Sequence, residues 1–453
     1  MFRRIQRGLI FTVFVPLSFY SQNTSALRDS INRSSYADFL QMKKTLGIDQ
    51  ENRPGPSGNP NDPNAANFDE NQVGAYRLPS LLTTQSGKTI NSVADWENLK
   101  RPELIAAFES EMYGALPDAI PAVSWIVKSE KDTVIGGIPI LEQHLLGTVD
   151  NSSYPKLSLS IEALLGIPKT MGDSAIPVVI QFGFLNAPFG KTEEPRSYFS
   201  SPYEPGFKQQ LAYQGWGYAI LDVSSIQADH GAGLNTGIIG LVNQGKSRSP
   251  EQWGALRAWG WGASKLIDYF ETRTDLDTKR LAVEGTSRYG KAALVAMAFD
   301  RRISLGFIGS SGAGGASLLR RNFGEMLENL ASPAEYHWFA GNFLKYASIK
   351  TLTDFPVDAH QLIALCAPRP VFISAGSPKI EGQWVDAKGM FEAAVEAAPV
   401  YELYGLKGPG TTDFPVMGTA LTSGELAFRQ HGGGHSTGPN WSTWIAWTHR
   451  YWD

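Results

Sequence analysis

The sequence predicts a three-layer α/β fold, in which helices cover both faces of a mostly parallel central sheet. Short apolar runs recur from about Ile176 onward, and longer helical patterns separate them. Nearly continuous β-branched runs are typical of strands that are buried on both faces of a parallel sheet. Strands that alternate with helices in this way predict a doubly wound sheet. The runs lie at 176–184, 218–223, 281–287, 305–311, 370–376 and 400–405.

Residues 1–26 are predicted to be a secretory signal peptide. Arg3, Arg4 and Arg7 form a basic start, an apolar stretch follows at 8–20, and small and polar residues suited to cleavage lie at 21–26. The apolar stretch is shorter than the roughly 18–20 residues that a membrane-spanning helix requires. Cleavage is therefore favoured over a membrane anchor, and we expect a secreted or periplasmic protein with no membrane partner.

Residues 27–90 are predicted to be an N-terminal arm or linker before a catalytic domain at 91–453. The segment 51–72 is rich in Pro, Asn, Gly and Asp, and it has too few apolar residues to pack alone. A helix is expected at 95–115. Alternating apolar and polar residues at 120–165 then predict antiparallel strands and hairpins.

The sharpest functional feature is the segment LAVEGTSRYGKAALVAMAFD at 281–300. It predicts a strand, a tight turn and a helix, with Gly285 and Gly290 on either side of Ser287. This is a loose form of the G-x-S-x-G nucleophile elbow of the α/β-hydrolase fold. Such a turn projects the serine hydroxyl into the cleft, and the N–H groups of the following helix can stabilise an oxyanion. A simple N-capping serine would not need flanking glycines after a buried strand.

Arg288 and Lys291 belong to the same turn. They could be solvated helix charges without a specific role. Beside a nucleophile, however, two cations suit a substrate that carries a carboxylate or many hydroxyls. Arg288 could also donate a hydrogen bond to a tetrahedral oxyanion.

His435 is the predicted general base. A serine hydroxyl becomes a good nucleophile only when a neighbouring base accepts its proton, and in this fold the histidine follows the last strand. His431 and His435 both lie in the segment FRQHGGGHSTGPNW. The alternatives are His431 as the base, or the two histidines as a metal pair. A metal pair on a helix would not contain three glycines, and no dense carboxylate cluster completes it.

The acid of the triad has to hold the imidazole in the correct tautomer. The loop GSSGAGG, which contains Ser310, follows the strand after the nucleophile helix and has no carboxylate. The loop GSPKIEGQWVDAKG follows the strand at 370–376 and offers Glu381 and Asp386. We predict Glu381, because it lies in the loop itself. Asp386 could instead cap the helix expected from Ala387, and the choice between the two carboxylates stays open.

These segments resemble the glucuronoyl esterases, carbohydrate esterase family 15, over roughly residues 90–453. The family signature G-C-S-R-x-G-K corresponds to GTSRYGK at 285–291. Further segments look like those of the family in the same order: SGAGGASLLRRNFGEMLENL, EYHWFAGNF, DAHQLIALCAPRPVF, GQWVDAKGMF and GGGHSTGPNW.

The resemblance implies hydrolysis of the ester between (4-O-methyl)glucuronic acid on xylan and an alcohol of lignin. It matches Ser287 to the nucleophile, His435 to the base and Arg288 to the residue that supports the oxyanion. The expected partner is therefore plant cell-wall glucuronoxylan or a lignin–carbohydrate ester. The positions that match sugar-binding residues of the family are Lys291, Glu335, Trp384 and, more weakly, Glu328.

Two departures from the family pattern matter. Thr286 stands where a cysteine is usual, so the disulfide of some members is absent. Ser310 stands where fungal members have the glutamate of the triad, so this chain is expected to use the other acid position, known in some bacterial members. This supports Glu381, although the spacing from the acid to Trp384 is longer than usual.

Composition excludes several other classes of function. The net charge is −4 without a long run of Lys or Arg, so nucleic acid is not an expected partner. Cys366 is the only cysteine, and an internal disulfide is impossible. We expect a monomer without a metal or other cofactor. The alternatives are an acetylxylan or other carboxylesterase on the same fold, an inactive carbohydrate-binding homologue and, less favoured, a peptidase.

Overall fold

The structure is a computed structural model, and it describes residues 18–169, 174–185 and 205–452. Most of the predicted signal peptide, residues 1–17, lies outside the described residues. The first helix includes the remainder of that segment. Within the described part of the chain, none of the helices combines the length and the apolar character needed to cross a bilayer.

The described strands form one sheet in the order β1-β2-β3-β5-β4-β6-β7-β8-β10-β9. The pairs from β5 to β10 are parallel, whereas β1, β2, β3 and β9 join the sheet in antiparallel pairs. The mostly parallel sheet and the antiparallel strands expected at 120–165 are thus confirmed. The strands are β1 (Val123–Ile135), β2 (Ile138–Val149), β3 (Ser160–Pro168), β4 (Ile176–Gly183), β5 (Gly217–Asp222), β6 (Leu276–Thr286), β7 (Leu305–Gly309), β8 (Val371–Ala375), β9 (Ala420–Leu421) and β10 (Leu426–Gln430).

Helices surround this sheet, and short 3₁₀ turns connect many of the elements. The α-helices are α1 (Ser18–Thr45), α2 (Val93–Asp95), α3 (Arg101–Glu111), α4 (Phe207–Tyr213), α5 (Gly237–Val242), α6 (Ala255–Phe270), α7 (Arg288–Phe299), α8 (Leu327–Leu330), α9 (Ala359–Ala364), α10 (Ala387–Leu403) and α11 (Trp441–Trp452), with a π-helical turn (Trp96–Lys100) between α2 and α3. The 3₁₀ turns are Glu70–Gln72, Val223–Ser225, Gly231–Asn235, Tyr336–Trp338, Gly341–Ala347, Leu352–Asp354 and Gly438–Asn440.

Two apolar clusters on opposite faces of the sheet make the three layers. Successive strand residues point to opposite faces, and Leu281 and Val283 of β6 therefore join one cluster while Ala282 joins the other. The larger cluster packs α6, α7, α9 and α10 against the sheet. The smaller cluster packs α4 and the tryptophans of α11 on the other face. The predicted three-layer α/β-hydrolase arrangement is confirmed.

The strand expected at 400–405 is wrong. This segment is the end of α10 and the turn that follows it, and the last parallel strand is β10 instead. Val400 and Tyr401 are fully buried together with Ala394 and Ala397, which lie three to seven residues earlier. This spacing places all four side chains on one face of a helix. The run at 400–405 was predicted as a strand from its composition, whereas the spacing of its buried residues is that of a helix.

The arm at 27–90 packs closely against the rest of the protein. Phe39 and Met42 of α1 are buried in the larger apolar cluster. The irregular segment 51–72 is held by hydrogen bonds: Asn52 donates to the backbone oxygen of Ala331, and Arg53 donates to that of Ser348. The segment that has too few apolar residues for a core of its own is thus fixed by polar contacts with later parts of the chain.

Candidate active site

Ser287 occupies a strained corner between β6 and α7. Its backbone lies at φ 61° and ψ −132°, a region that non-glycine residues rarely adopt and that clusters at functional sites. Its N–H donates to the backbone oxygen of Gly309, 2.9 Å away. A side chain at Gly285 would overlap the carbonyl of Tyr289, which explains why glycine precedes the turn. The Ser287 side chain makes no capping hydrogen bond to α7, and this geometry is that of a nucleophile elbow.

His435 and Glu381 form a hydrogen-bonded pair. The Nδ1 atom of His435 lies 2.6 Å from Oε1 of Glu381. The Glu381 side chain is only 2% exposed, and its other oxygen accepts a hydrogen bond from the N–H of Gly376. Glu381 follows β8, at the position expected for the acid. Because Nδ1 is bonded to the carboxylate, Nε2 is the ring nitrogen that remains for accepting a proton.

A second buried carboxylate joins the His435 loop to β6, the strand that leads to Ser287. Glu284, three residues before Ser287, accepts a hydrogen bond from Thr437 Oγ1 at 2.6 Å and another from Gln181 Nε2 at 2.8 Å. A side chain at Gly309 would overlap the methyl group of Thr437. The loop therefore rests directly on the carboxyl ends of β6 and β7, where Ser287 lies. Burial raises the pKa of Glu284 to about 7.

His431 shapes this loop from inside. Its Nε2 donates to the backbone oxygen of Ser436 at 2.8 Å, and its Nδ1 accepts from the N–H of Gly433 at 3.1 Å. The side chain is buried. Both ring nitrogens are therefore engaged by the backbone, which leaves His435 as the better candidate for the base. Across the described ranges, no group of three or more His, Cys, Asp or Glu side chains could hold a metal ion.

Asp386 caps α10. Its side chain accepts a hydrogen bond from the N–H of Gly389 at 2.9 Å and from Nε of Arg321 at 3.0 Å. It is 3% exposed. Burial raises the pKa of Asp386 to about 6, against the opposing charge of Arg321. The capping alternative raised from the sequence describes this carboxylate, whereas Glu381 contacts the histidine.

Lys291 reaches the end of the sheet from the first turn of α7. Its ammonium donates to the backbone oxygen of Ser311 at 2.7 Å and to Oε2 of Glu325 at 3.1 Å. The other oxygen of Glu325 accepts from Nε1 of Trp384 at 3.4 Å. Lys291 and Trp384 are thus brought together by Glu325, a residue that the sequence analysis did not select. Lys291 and Trp384 are far apart in sequence, so their shared contact with Glu325 is visible only in the folded structure.

Arg288 and Glu335 complete a charged cluster beside Ser287. The guanidinium of Arg288 lies 2.8 Å from Asp229 and 5.3 Å from the ring centroid of Trp338. Burial alone would raise the pKa of Asp229, but hydrogen bonding from His337 and the charge of Arg288 hold it well below its ordinary range. For Glu335, the effect of burial on the pKa outweighs that of the nearby cations Lys291 and Arg288. Burial, reinforced by the Glu325 carboxylate, raises its pKa to about 7.

Comparisons with known proteins agree with this geometry. The family model "Glucuronyl esterase, fungi" matches residues 247–405. A solved glucuronoyl esterase of carbohydrate esterase family 15 from Teredinibacter turnerae is 43% identical with a TM-score of 0.85, covering 92% of this chain and 100% of its own. Carbohydrate esterase MZ0003, from an unknown prokaryotic organism, is 32% identical over 84% of this chain and 91% of its own length. A 4-O-methyl-glucuronoyl methylesterase of Wolfiporia cocos is 28% identical over 73% of this chain and 72% of its own length.

The chain belongs to the glucuronoyl esterase family. It is accordingly a carboxylic ester hydrolase, as the sequence predicted. A further glucuronoyl esterase structure, from Solibacter usitatus, is 31% identical with a TM-score of 0.73 and covers 85% of this chain and 100% of its own.

Glu328, the weaker of the residues matched to glucuronoyl esterase sugar ligands, faces elsewhere. Its Oε1 lies 3.0 Å from Nη2 of Arg53, in the N-terminal arm. Glu325, three residues earlier and before the start of α8, contacts the matched residues Lys291 and Trp384. In this structure Glu328 thus pairs with the arm, and its role as a sugar ligand stays a prediction.

Ser310 lies where fungal glucuronoyl esterases are expected to have their acid. Its hydroxyl is buried without a hydrogen-bond partner among the described residues, and its backbone has a φ of 44°. A serine hydroxyl at this position offers no negative charge to an imidazolium. The carboxylate that contacts His435 is Glu381, which lies in another loop.

Proposed function

We propose that this protein hydrolyses esters of (4-O-methyl)glucuronic acid in glucuronoxylan–lignin linkages, and that it acts outside the cytoplasm after removal of a signal peptide. The observation that carries the proposal is the His435–Glu381 pair, at 2.6 Å, on the sheet edge that also holds the strained Ser287 and a cluster of sugar-compatible charges. The assignment of the individual residues is part of this proposal. It requires no cofactor.

The reaction would proceed in two acyl-transfer steps. Ser287 Oγ forms a bond to the uronoyl carbonyl carbon as its proton passes to Nε2 of His435. Backbone N–H groups at the start of α7 and the guanidinium of Arg288 would stabilise the oxyanion. The imidazolium, stabilised by Glu381, then gives its proton to the leaving alcohol. Water attacks the acyl-enzyme through the same groups, which releases the uronic acid and restores the serine.

The charged cluster favours a sugar acid as the acyl group. Lys291 can donate to sugar oxygens, while the carboxylates of Glu325 and Glu335 accept hydrogen bonds from hydroxyls. With a pKa of about 7, Glu335 can also be protonated and donate. The ring of Trp384 offers an apolar face to a pyranose. An acetyl group would make use of none of these contacts.

The test is a rate assay on benzyl glucuronate and on an acetylated sugar. The wild-type protein should hydrolyse the uronate ester and leave the acetyl ester nearly untouched. Ser287→Ala should lower kcat by several orders of magnitude, because it removes the attacking atom. Ser129→Ala, at an exposed serine of β1, is the matched control.

Three results would contradict the proposal in different ways. Preferred cleavage of the acetyl ester would indicate a different carboxylesterase. Binding of uronic-acid oligosaccharides without turnover, unchanged in Ser287→Ala, would indicate a carbohydrate-binding homologue. Full activity in Ser287→Ala would show that the elbow serine is not the nucleophile.

A further inference from the structure

The part of the N-terminal arm at 67–70 is fixed against the segment that carries Glu325. Asn67 donates through its side chain to the backbone oxygen of Asn322 at 2.7 Å, and its own backbone oxygen accepts from the N–H of Gly324 at 3.0 Å. On the other side, Glu70 pairs with Arg321 and lies 2.8 Å from Nζ of Lys388. Phe68 therefore lies between two residues, Asn67 and Glu70, that are fixed by hydrogen bonds and ion pairs.

The fixed Phe68 ring extends the wall of the charged cluster. Its centroid lies 5.9 Å from that of Phe323 and 6.5 Å from that of Trp384, and its side chain remains 39% exposed. A single exposed apolar side chain is ordinary on a protein surface. Phe68 differs because it is next to Trp384, whose indole donates to Glu325. Glu325 also accepts a hydrogen bond from Lys291. The rings of Trp384, Phe68 and Phe323 therefore lie next to the charged cluster.

We propose that Phe68 forms a second sugar subsite, which binds the xylan residue that adjoins the glucuronate. This inference rests on the proposed function, since it requires a uronate beside Trp384. A pyranose has one face of C–H groups, which packs favourably on an aromatic ring, and a periphery of hydroxyls, which suits an open surface. The arm would then contribute to recognition of the polysaccharide as well as to the fold.

The geometry favours a sugar over a purely apolar ligand at this position. The rings of Phe68 and Trp384 are inclined by 57°, so they form two separate platforms and not one flat surface. The residues on either side of Phe68 in the chain, Asn67 and Asp69, are polar, and hydrogen bonds hold them in place. A ligand that leaves Trp384 toward Phe68 would therefore meet a second, separately inclined aromatic face in a polar stretch of the chain.

The experiment compares two benzyl esters, one of free glucuronic acid and one of glucuronic acid attached to xylotriose. In Phe68→Ala, kcat/KM for the xylotriose-linked ester should fall about 3- to 10-fold, the range of one aromatic contact, mainly through KM. The value for benzyl glucuronate should stay within about two-fold, since the change lies outside the uronate contacts. Phe68→Tyr should restore wild-type selectivity. Tyr213→Ala, at an exposed aromatic of α4, is the control and should change neither substrate.

Two outcomes would overturn the subsite. One is an unchanged ratio of kcat/KM between the two esters in Phe68→Ala. The other is an equal loss on both esters, which would show that the ring only supports the fold. Calorimetry with the unesterified xylotriose-linked acid separates this inference from the esterase proposal. Ser287→Ala should bind this acid several-fold more tightly than Ser287→Ala combined with Phe68→Ala, and equal binding by the two proteins would refute the subsite even if turnover were absent.

Discussion

Two carboxylates in one loop, Glu381 and Asp386, have different surroundings. Glu381 contacts an imidazole and a backbone N–H, and both contacts stabilise its charge. Asp386 contacts Arg321 and the first turn of α10. A carboxylate that faces an imidazole can support proton transfer, whereas one that caps a helix contributes to stability. Two carboxylates five positions apart therefore have different partners, and different roles are expected of them.

Substitution of each carboxylate should separate these purposes. Glu381→Ala should lower kcat about 10²- to 10⁴-fold, because the imidazolium loses its stabilising charge and its tautomer is no longer fixed. Asp386→Ala should lower the free energy of unfolding by about 1–3 kcal/mol, since it removes a cap and leaves a buried guanidinium with one partner fewer. Rate assays and urea denaturation measure the two effects. A collapse of kcat in a stably folded Asp386→Ala protein would show that the acid is misassigned.

At the level of secondary-structure elements, Glu284 connects β4, β6 and the loop that carries His435. Its hydrogen-bond partners are Gln181 of β4 and Thr437 of the loop. Both of these partners are uncharged, and burial raises the pKa of Glu284 to about 7. In the unfolded chain the carboxyl keeps its ordinary value near 4.5. At any pH between these two pKa values, Glu284 is protonated more often in the folded protein than in the unfolded chain.

This difference predicts a pH dependence of stability. Between about pH 4.5 and pH 7 the contribution of Glu284 falls as pH rises, because ionisation costs more in the folded state. Glu284→Gln keeps the shape without the titration. Relative to wild type, this variant should gain up to about 3 kcal/mol of unfolding free energy between pH 5 and pH 8. Glu402→Gln, at an exposed position of α10, is the control in urea denaturation at both pH values. A gain for Glu284→Gln that is equal at the two pH values would contradict the prediction.

At the level of the whole molecule, helix α1 and the arm form one body with the rest of the described chain. Phe39 of α1 packs edge-on against Tyr336 with ring centroids 5.3 Å apart, and the hydroxyl of Tyr336 donates to Asp38. Tyr336 adjoins Glu335 in the charged cluster. The N-terminal region thus supports the segment from which part of the candidate site is built.

Removal of one buried side chain from α1 tests this cooperation. Met42 is 3% exposed within the main apolar cluster. Met42→Ala should therefore lower the free energy of unfolding by about 2–4 kcal/mol through lost burial and a cavity. Leu40→Ala, at a position that is 46% exposed, should have a much smaller effect. The unfolding transition should stay single when fluorescence and circular dichroism are compared, and an early separate transition of the helix would contradict a single body.

How much the sequence reveals depends on how far apart the interacting residues lie. Ser287 was predicted from its own strand, turn and helix, because the elbow is a local feature. The Arg53–Glu328 pair joins positions 275 residues apart, and the Thr437–Glu284 bond joins positions 153 apart. No local pattern marks either contact. This is why the sequence contains no indication of the Glu325 contacts or of the Glu284 hydrogen bonds.

The single cysteine has a practical consequence. Cys366 is fully buried, and burial raises the pKa of its thiol to about 11. At neutral pH the group therefore stays protonated and shielded, and thiolate is the form that reacts with oxidants and alkylating agents. Folding of this chain needs no oxidative pairing step. Mild reductants and maleimide reagents should thus leave the native enzyme unmodified, so a cysteine introduced on the surface would be a selective point for attaching a label.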